Sequence, residues 1–273
     1  MNPSLIDYTL HLADTNLILA QRNAEWCGHG PILEQDIAIT NISLDLIGQS
    51  RNFYQYAAQL INESKNNQDL KAPSPRGEGV GPARMTWSDG GEVTEDSLAY
   101  LRTEREFKNC LLAEQPNGDW AQTILRQFFF SAYQFLLYEK LQHSTDQQIA
   151  AIAAKALKEV TYHQRWSSEW VVRLGDGTEE SHQRMLKAID ELWRYTGEMF
   201  LPADYEIEAG FDVCLLKDDW MKKVTDVFDE ATLSIPEKIF MQTGGKTGTH
   251  TEHLGFILTE LQYMQRAYPN SQW

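Results

Sequence analysis

The run KEVTYH at residues 158–163 resembles a metal-binding helix from which one ligand is missing. Carboxylate-bridged di-iron bundles use a Glu from each of two helices and a Glu-x-x-His pair from each of the other two. Side chains three residues apart lie on one face of a helix and can reach the same metal pair. His163 occupies the imidazole position, but Val160 stands in place of the carboxylate. Glu159 lies about 100° away around the helix and cannot simply replace it.

A second incomplete motif involves Asp14 and Asp45, whose separation suits ligands that face each other on two consecutive antiparallel helices. The histidine position three residues after Asp45 is Gly48. With Val160 and His163, these residues predict a degenerate di-iron site that holds no metal. We therefore expect no catalytic, cofactor-binding or metal-binding residue in this chain. The simpler interpretation of His163 is an ordinary hydrogen-bonded histidine.

Two glycine- and histidine-containing motifs near the C-terminus suggest other chemistry, but neither is complete. The run GGKTG at 244–248 lacks the earlier glycine of a phosphate-binding loop, since Phe240 stands there, and no strand precedes it. His250 and His253 are three residues apart, without the four-residue spacing of a zinc-protease helix and without a third ligand nearby. A turn that docks a partner, or that begins the last helix of this chain, explains the segment better.

Composition restricts the classes of protein to which the chain can belong. The 273 residues carry a formal charge of −15, which argues against binding to nucleic acid because that requires a basic face. Three scattered cysteines contain no Cys-x-x-Cys pair, so neither a zinc ribbon nor a thioredoxin-type site is encoded. There is no signal-peptide pattern and no apolar run of membrane-spanning length. We expect a cytoplasmic protein with no membrane partner.

Helical periodicity dominates the chain, and no alternating strand pattern is convincing. It predicts an all-α fold of helices at about Ser4–Cys27, Pro31–Asn62, Thr94–Gln115, onward from Asp119, Asp146–Leu174, Glu179–Phe200, Leu216–Phe228 and Thr251–Ala267. The repeated pairing of long helices predicts a single ferritin-like helical domain over residues 1–273, with additional helices. Residues 66–91 are rich in Gly, Pro and Ser and are expected to form a flexible excursion.

Polar residues fall on or near one stripe of each of the first two helices. The stripes contain Asp7, His11, Asp14, Gln21 and Glu25 on the first helix, and Asn41, Asp45 and Asn52 on the second. Buried polar side chains must be hydrogen-bonded. The stripes therefore predict either a polar network that replaces the metals or simple exposure to solvent.

Four motifs in order along the chain resemble the C subunit of bacterial phenylacetyl-CoA epoxidase: EWCGHGP at 25–31, DLIGQSRN at 45–52, EQPNG at 114–118 and GGK to HTEHLG at 244–255. The resemblance covers nearly the whole chain, although the segment at 66–91 is longer than expected. It implies a ferritin-like subunit that pairs with a homologous catalytic A subunit, whose di-iron centre epoxidises the aromatic ring of phenylacetyl-CoA. It also implies a small B subunit and an NADPH-dependent reductase.

Within that family, the catalytic subunit has a Glu-x-x-His-like run where this chain has Val160 and His163. The resemblance thus implies a non-catalytic structural subunit in phenylacetate catabolism, with the di-iron cofactor in its partner. Two alternatives remain open: an active di-iron oxygenase that uses Asp14, Asp45, Glu159 and His163, and a stand-alone homodimeric scaffold. The candidate interface residues are Gly244, Gly245, Lys246, His250, Glu252 and His253. The competing interpretation is that this segment serves only the chain's own fold.

Overall fold

Two pairs of long antiparallel helices form the centre of the protein. The structure is a computed structural model that describes residues 3–69, 92–237, 239–269 and 271. Helices α1 (Pro3–Ala24) and α2 (Leu33–Asp69) form the first pair, and α5 (Trp120–Leu141) and α6 (Gln147–Gly175) form the second. The two pairs pack against each other through α2 and α6. No strand occurs in the described ranges, and the predicted all-α, ferritin-like bundle is confirmed.

Additional helices cover the ends and one side of this bundle. They are α3 (Glu95–Tyr100), α4 (Leu111–Glu114), α7 (Glu179–Leu192), α8 (Asp204–Glu208), α9 (Lys217–Glu230), α10 (Glu252–Leu261) and α11 (Tyr263–Ala267). Short 3-10 helices lie at Glu104–Glu106, Trp193–Tyr195, Gly197–Phe200, Val213–Leu216 and Gly245–Thr247. Buried apolar side chains from α1 to α10 form one continuous core cluster.

The positions at which α5 and α6 begin are explained by capping residues in the local sequence. The Asp119 carboxylate accepts a hydrogen bond from the Gln122 amide at 3.1 Å, and the Asp146 carboxylate accepts one from the Ile149 amide at 2.9 Å. Each bond satisfies an amide that has no partner in the first helical turn. Between its ends α5 is buried on nearly every face, as its apolar sequence predicts.

The prediction of one long helix over Thr94–Gln115 is wrong. Helix α3 ends at Tyr100, and residues 107–110 are extended before the single turn of α4. The reason is that side chains of α1 accept hydrogen bonds from the backbone amides of this segment. The Asp14 carboxylate accepts from the Lys108 amide at 2.8 Å, and the Thr15 hydroxyl accepts from the Cys110 amide at 3.2 Å. These bonds replace the helical pattern that the local sequence favours.

Other helix boundaries also differ from the expectation. Helix α2 continues to Asp69, so residues 66–69 of the predicted excursion are helical, and residues 70–91 lie outside the described residues. The helix expected to reach Phe200 ends at Leu192 and is followed by 3-10 turns. The last predicted helix is divided into α10 and α11. Among the described residues, no helix has both the length and the apolar character needed to span a bilayer.

A buried ion pair between Asp14 and Arg102 fixes the segment after α3 against α1. Both side chains are fully buried. The Asp14 carboxylate accepts from two nitrogens of the Arg102 guanidinium and, at 2.6 Å, from the Tyr54 hydroxyl. Arg102 also donates to the carbonyls of Leu98 at 2.6 Å and Glu106 at 2.9 Å. One guanidinium thus joins α1, α2, α3 and the following 3-10 turn.

We expect Asp14→Asn to lower the free energy of unfolding by about 3–5 kcal/mol, because it leaves a buried guanidinium without its counter-charge. The matched control is Arg51→Met, which removes an exposed pair with Glu95 whose Nε–Oε1 distance is 3.5 Å. That change should cost less than about 1 kcal/mol, as is usual for surface pairs. Denaturant unfolding of both variants measures the difference, and similar losses would contradict the role assigned to Asp14.

Candidate functional site

The five positions of the predicted degenerate metal site do not converge in the structure. Asp14 is bound to Arg102 and Tyr54, away from Asp45. Gly48 is exposed, and a Cβ added to it would meet nothing within 4 Å, so an imidazole there would project away from the interior. Asp14 and Asp45 thus have different partners, and their assignment with Gly48 to one half of a degenerate site stays a prediction.

On the other half, His163 and Asp45 form a hydrogen-bonded pair between α6 and α2. The His163 Nε2 atom lies 3.0 Å from Asp45 Oδ2, and the imidazole is fully buried while the carboxylate is 38% exposed. Val160 is buried one turn before His163. Within the described ranges, no group of three or more His, Cys, Asp or Glu side chains is arranged to hold a metal ion. The geometry matches the simpler interpretation of His163 as a hydrogen-bonded core histidine.

The centre of the four-helix bundle holds a network of amide and phenol side chains instead. Gln134 Nε2 on α5 donates to Asn16 Oδ1 on α1 at 2.7 Å and to Gln49 Oε1 on α2 at 3.0 Å. The Tyr138 hydroxyl accepts from Asn16 Nδ2 at 3.1 Å and contacts Gln49 Oε1 at 3.2 Å. Gln49 Nε2 then donates to Glu159 on α6 at 2.9 Å. All four long helices contribute to this network.

A second polar layer lies two helical turns away, where Asn23 Nδ2 on α1 donates to Gln127 Oε1 on α5 at 2.7 Å. Asn23 follows Asn16 by seven residues, and Gln127 precedes Gln134 by seven, as two antiparallel helices in fixed register require. The buried Arg126 donates to Asn23 and, at 2.6 Å, to Asn117. Burial, and next the nearby Arg22, lower the pKa of Arg126 to about 9.

These interior residues do not fit a di-iron centre. The iron ions of such a centre are bound by carboxylate oxygens and imidazole nitrogens, whereas an amide or phenol that already bonds to its neighbours offers no negative charge. A polar network between the helices was one of the two expectations from the stripes, but its members are different residues. The sequence signal that would have indicated this network is the seven-residue spacing of amide side chains on both α1 and α5.

The C-terminal strap, residues 244–251, is held against the bundle by buried carboxylates. Glu198 accepts from the amides of Gly244 and Leu111, each at 2.7 Å. The Lys246 ammonium lies 2.9 and 3.1 Å from the two carboxylate oxygens of Glu206, and both side chains are almost fully buried. The carboxylate of Glu198 thus joins the strap to the backbone of α4.

A third carboxylate, Glu114 on α4, binds the end of the strap. Its Oε1 atom accepts from the Thr251 amide at 2.6 Å and from the Thr251 hydroxyl at 2.7 Å. Its Oε2 atom lies 2.9 Å from His250 Nδ1 and accepts from Asn109 Nδ2 at 2.8 Å. These bonds fix the position at which α10 begins.

Comparison with known proteins identifies the family of the chain. A family model described as phenylacetic acid catabolic protein matches residues 1–273. The chain belongs to this family. It is 46% identical over 274 residues, covering 98% of the chain and 99% of the relative, to the Escherichia coli (strain K12) protein named as the C subunit of 1,2-phenylacetyl-CoA epoxidase. The expected resemblance to the C-subunit family is confirmed.

In this family member, the candidate interface residues of the strap have internal contacts that the sequence did not reveal. Gly245 and Lys246 are buried, and the His250 imidazole is fully enclosed. Lys246 is paired with Glu206, which also explains why the run 244–248 is no phosphate-binding loop. Glu252 is exposed and His253 is partly exposed at the start of α10, and Gly244 donates to Glu198. A partner contact by this segment stays a prediction, while the geometry favours a role in the chain's own fold.

We expect Gly245→Ala to lower the free energy of unfolding by about 2–3 kcal/mol through overpacking. The added Cβ would lie 2.4 Å from the Asn109 carbonyl oxygen and 3.0 Å from the Leu111 amide nitrogen. Gly48→Ala is the control and should stabilise α2 by about 0.5–1 kcal/mol, because its Cβ meets open space in a helix. Thermal and denaturant unfolding test the pair, and the affinity of Gly245→Ala for the expected A subunit is measured against that of the wild type. Unchanged stability with weakened affinity in Gly245→Ala would place the strap at the interface.

Proposed function

We propose that this chain is a non-catalytic structural subunit of a multicomponent di-iron oxygenase that epoxidises the aromatic ring of phenylacetyl-CoA. Its similarity along nearly the whole chain to a protein named as the C subunit of 1,2-phenylacetyl-CoA epoxidase supports the assignment to that system. The observation that carries the non-catalytic role is the bundle interior, where amide and phenol side chains bond to one another. Carboxylate and imidazole ligands would be needed there for di-iron chemistry.

In this proposal the chain stabilises a homologous catalytic A subunit that carries the di-iron centre. A rigid neighbour can fix the helices of a catalytic bundle and thereby hold its metal ligands in position. The ion pair of Asp14 and Arg102 and the network around Gln134 make the interior of this chain rigid without a metal. A small B subunit and an NADPH-dependent reductase complete the proposed system.

The active-oxygenase alternative would use Asp14, Asp45, Glu159 and His163. Asp14 is paired with Arg102, and Glu159, one helical turn before His163, accepts a hydrogen bond from Gln49. Among the described residues these side chains form no common ligand set. The stand-alone scaffold differs from our proposal only in its partner. Co-purification with a homologous di-iron subunit separates those two functions.

The iron content of the purified chain tests the non-catalytic role. After anaerobic loading with Fe(II) and desalting, we expect well below one tightly held iron per chain, because Val160 and the amide network supply no ligands. Metal analysis gives the stoichiometry, and a known di-iron protein treated in parallel is the positive control. About two retained iron atoms per chain would refute the proposal.

The outer face of α2 is the surface best suited to the proposed partner. A stripe of large apolar side chains along this face is exposed to solvent: Leu33, Ile37, Leu44 and Ile47, with exposed Ile32 directly before the helix. Leu33 and Leu44 are 71% and 60% exposed. A row of this kind is typical of protein–protein contacts. Gly48 beside it would allow close approach by another helix.

We propose that the α2 outer face, defined by those five side chains, packs against helices of the catalytic A subunit. A stable complex of this obligate class should bury well over about 2,000 Å² in total. Tyr162 on the neighbouring α6 is also exposed and lies next to His163, which contacts α2. The contact would therefore include the surface of α6 around Tyr162.

We expect Leu33→Glu combined with Leu44→Glu to weaken binding to the A subunit by at least about 100-fold, the loss typical of truncating central contact residues. Stability of the isolated chain should be unchanged, because both side chains are mostly exposed. Leu215→Glu is the matched control, since Leu215 is 74% exposed but lies in the 3-10 helix Val213–Leu216. Calorimetry or size-exclusion with light scattering measures the complex. Wild-type affinity in the double variant would exclude the α2 outer face.

A further inference from the structure

The imidazole of His250 is placed between two groups that can only accept hydrogen bonds. Its Nδ1 atom lies 2.9 Å from Glu114 Oε2, and its Nε2 atom lies 2.9 Å from the Phe107 carbonyl oxygen. The side chains of His250 and Glu114 are both fully buried. A neutral imidazole carries one N–H and cannot donate to both acceptors, whereas the imidazolium donates from both nitrogens. Beside an ionised Glu114, this geometry favours the imidazolium.

This imidazolium joins the strap to two segments that are distant in sequence. Phe107 belongs to the extended residues 107–110, which are bound to α1, and Glu114 ends α4. Thr251 donates twice to the other oxygen of Glu114, so the same carboxylate holds the N-terminus of α10. The attachment of α10 to the bundle at its first residue depends on this ion pair.

We propose that His250 is a proton-operated latch that fastens α10 and α11 to the helical bundle. Loss of its proton removes either the donor to the Phe107 carbonyl or one of the two donors to Glu114 Oε2, which then keeps only Asn109, in a site closed to water. An unsatisfied buried acceptor is unfavourable, so the latched arrangement weakens and α10 opens more often.

The charged and titratable groups around the latch determine the direction of its pH dependence. They are Glu114 of α4, Asp14 of α1 with its partner Arg102, Tyr195 of the 3-10 turn, and the strap residue Lys246 with Glu198 and Glu206. Burial would lower the pKa of His250, but the hydrogen bond and charge of Glu114 outweigh it and raise the pKa overall. A raised pKa in the folded state means that the stabilisation is complete below about pH 6.5, the usual value for histidine. It is lost as the pH rises through the folded-state pKa.

Opening of the latch would change the shape of a groove beside it. This groove, of about 700 Å³, lies between Thr103 and Glu104 on one side and Gly255, Leu258 and Gln262 of α10 and its C-terminal end on the other. Glu114 holds the N-terminal end of the α10 wall through Thr251, and Gln262 Nε2 joins the other end of that wall to the Arg102 carbonyl at 2.9 Å.

Hydrogen exchange of the full-length chain at pH 6.5 and pH 9 tests the latch, with rates corrected for the intrinsic effect of pH on exchange. Residues 250–267 should lose protection roughly ten- to hundredfold at pH 9, the change supported by loss of a hydrogen bond to a charged group. The central helices α1 and α5 should keep theirs. His250→Gln should exchange rapidly in this region at both pH values. His182→Gln, which alters a histidine bonded to the Gly175 carbonyl, should behave as the wild type.

NMR of histidine labelled with ¹⁵N provides a second test that does not depend on the stability of a variant. Both ring nitrogens of His250 should show protonated shifts at pH 7, when an ordinary histidine is mostly neutral, and both should titrate in parallel with the protection of α10. A neutral His250 at pH 7 would overturn the proposal. Unchanged protection of residues 250–267 at pH 9, or the same pH dependence in His250→Gln, would do so as well.

Discussion

Buried carboxylates that accept from backbone amides are the interaction on which the rest of the structure depends. The segments between the long helices cross the interior without regular helical hydrogen bonds, and every buried N–H in them needs an acceptor. Asp14 accepts from Lys108, and Glu198 accepts from both Leu111 and Gly244. Each carboxylate also links two separate parts of the chain, and we call such a link a joint. The positions of α4 and of the strap follow from these joints.

In the central bundle, neutral amide side chains fix the register of the long helices. Four long helices that pack only through apolar side chains can slide by a turn with modest loss, whereas buried amides must find particular partners. The paired layers at Asn16 with Gln134, and at Asn23 with Gln127, fix the register of α1 against α5. A bundle of this kind is rigid and specific without a metal ion. This property is what a structural partner of an oxygenase would need.

The number and class of the long helices could be predicted from sequence, because apolar periodicity and caps such as Asp146 are local signals. The segment 103–110 could not, since its conformation is set by Asp14 and Thr15 on a helix about ninety residues away. The spacing of acidic residues and histidines suggested a common site, but spacing does not reveal that Asp14 has Arg102 as its partner. Family motifs identified the relatives correctly. Residues within those motifs, such as Glu114, Gly244 and His250, form hydrogen bonds inside the chain that the motifs alone do not reveal.

The joints made by Glu114 and Glu198 also impose an order on folding during synthesis. Glu114 cannot form its bonds until His250 and Thr251 have been synthesised, 136 and 137 residues later in the chain. Glu198 likewise needs the amide of Gly244. Until the ribosome releases those residues, both carboxylates and the amides around α4 must remain hydrated, so this part of the core cannot close. The helical hairpins can collapse earlier because their contacts are local. The newly made chain can therefore form its helical hairpins while the part of the core around α4 is still hydrated, and that part closes only when residues 244–251 bind.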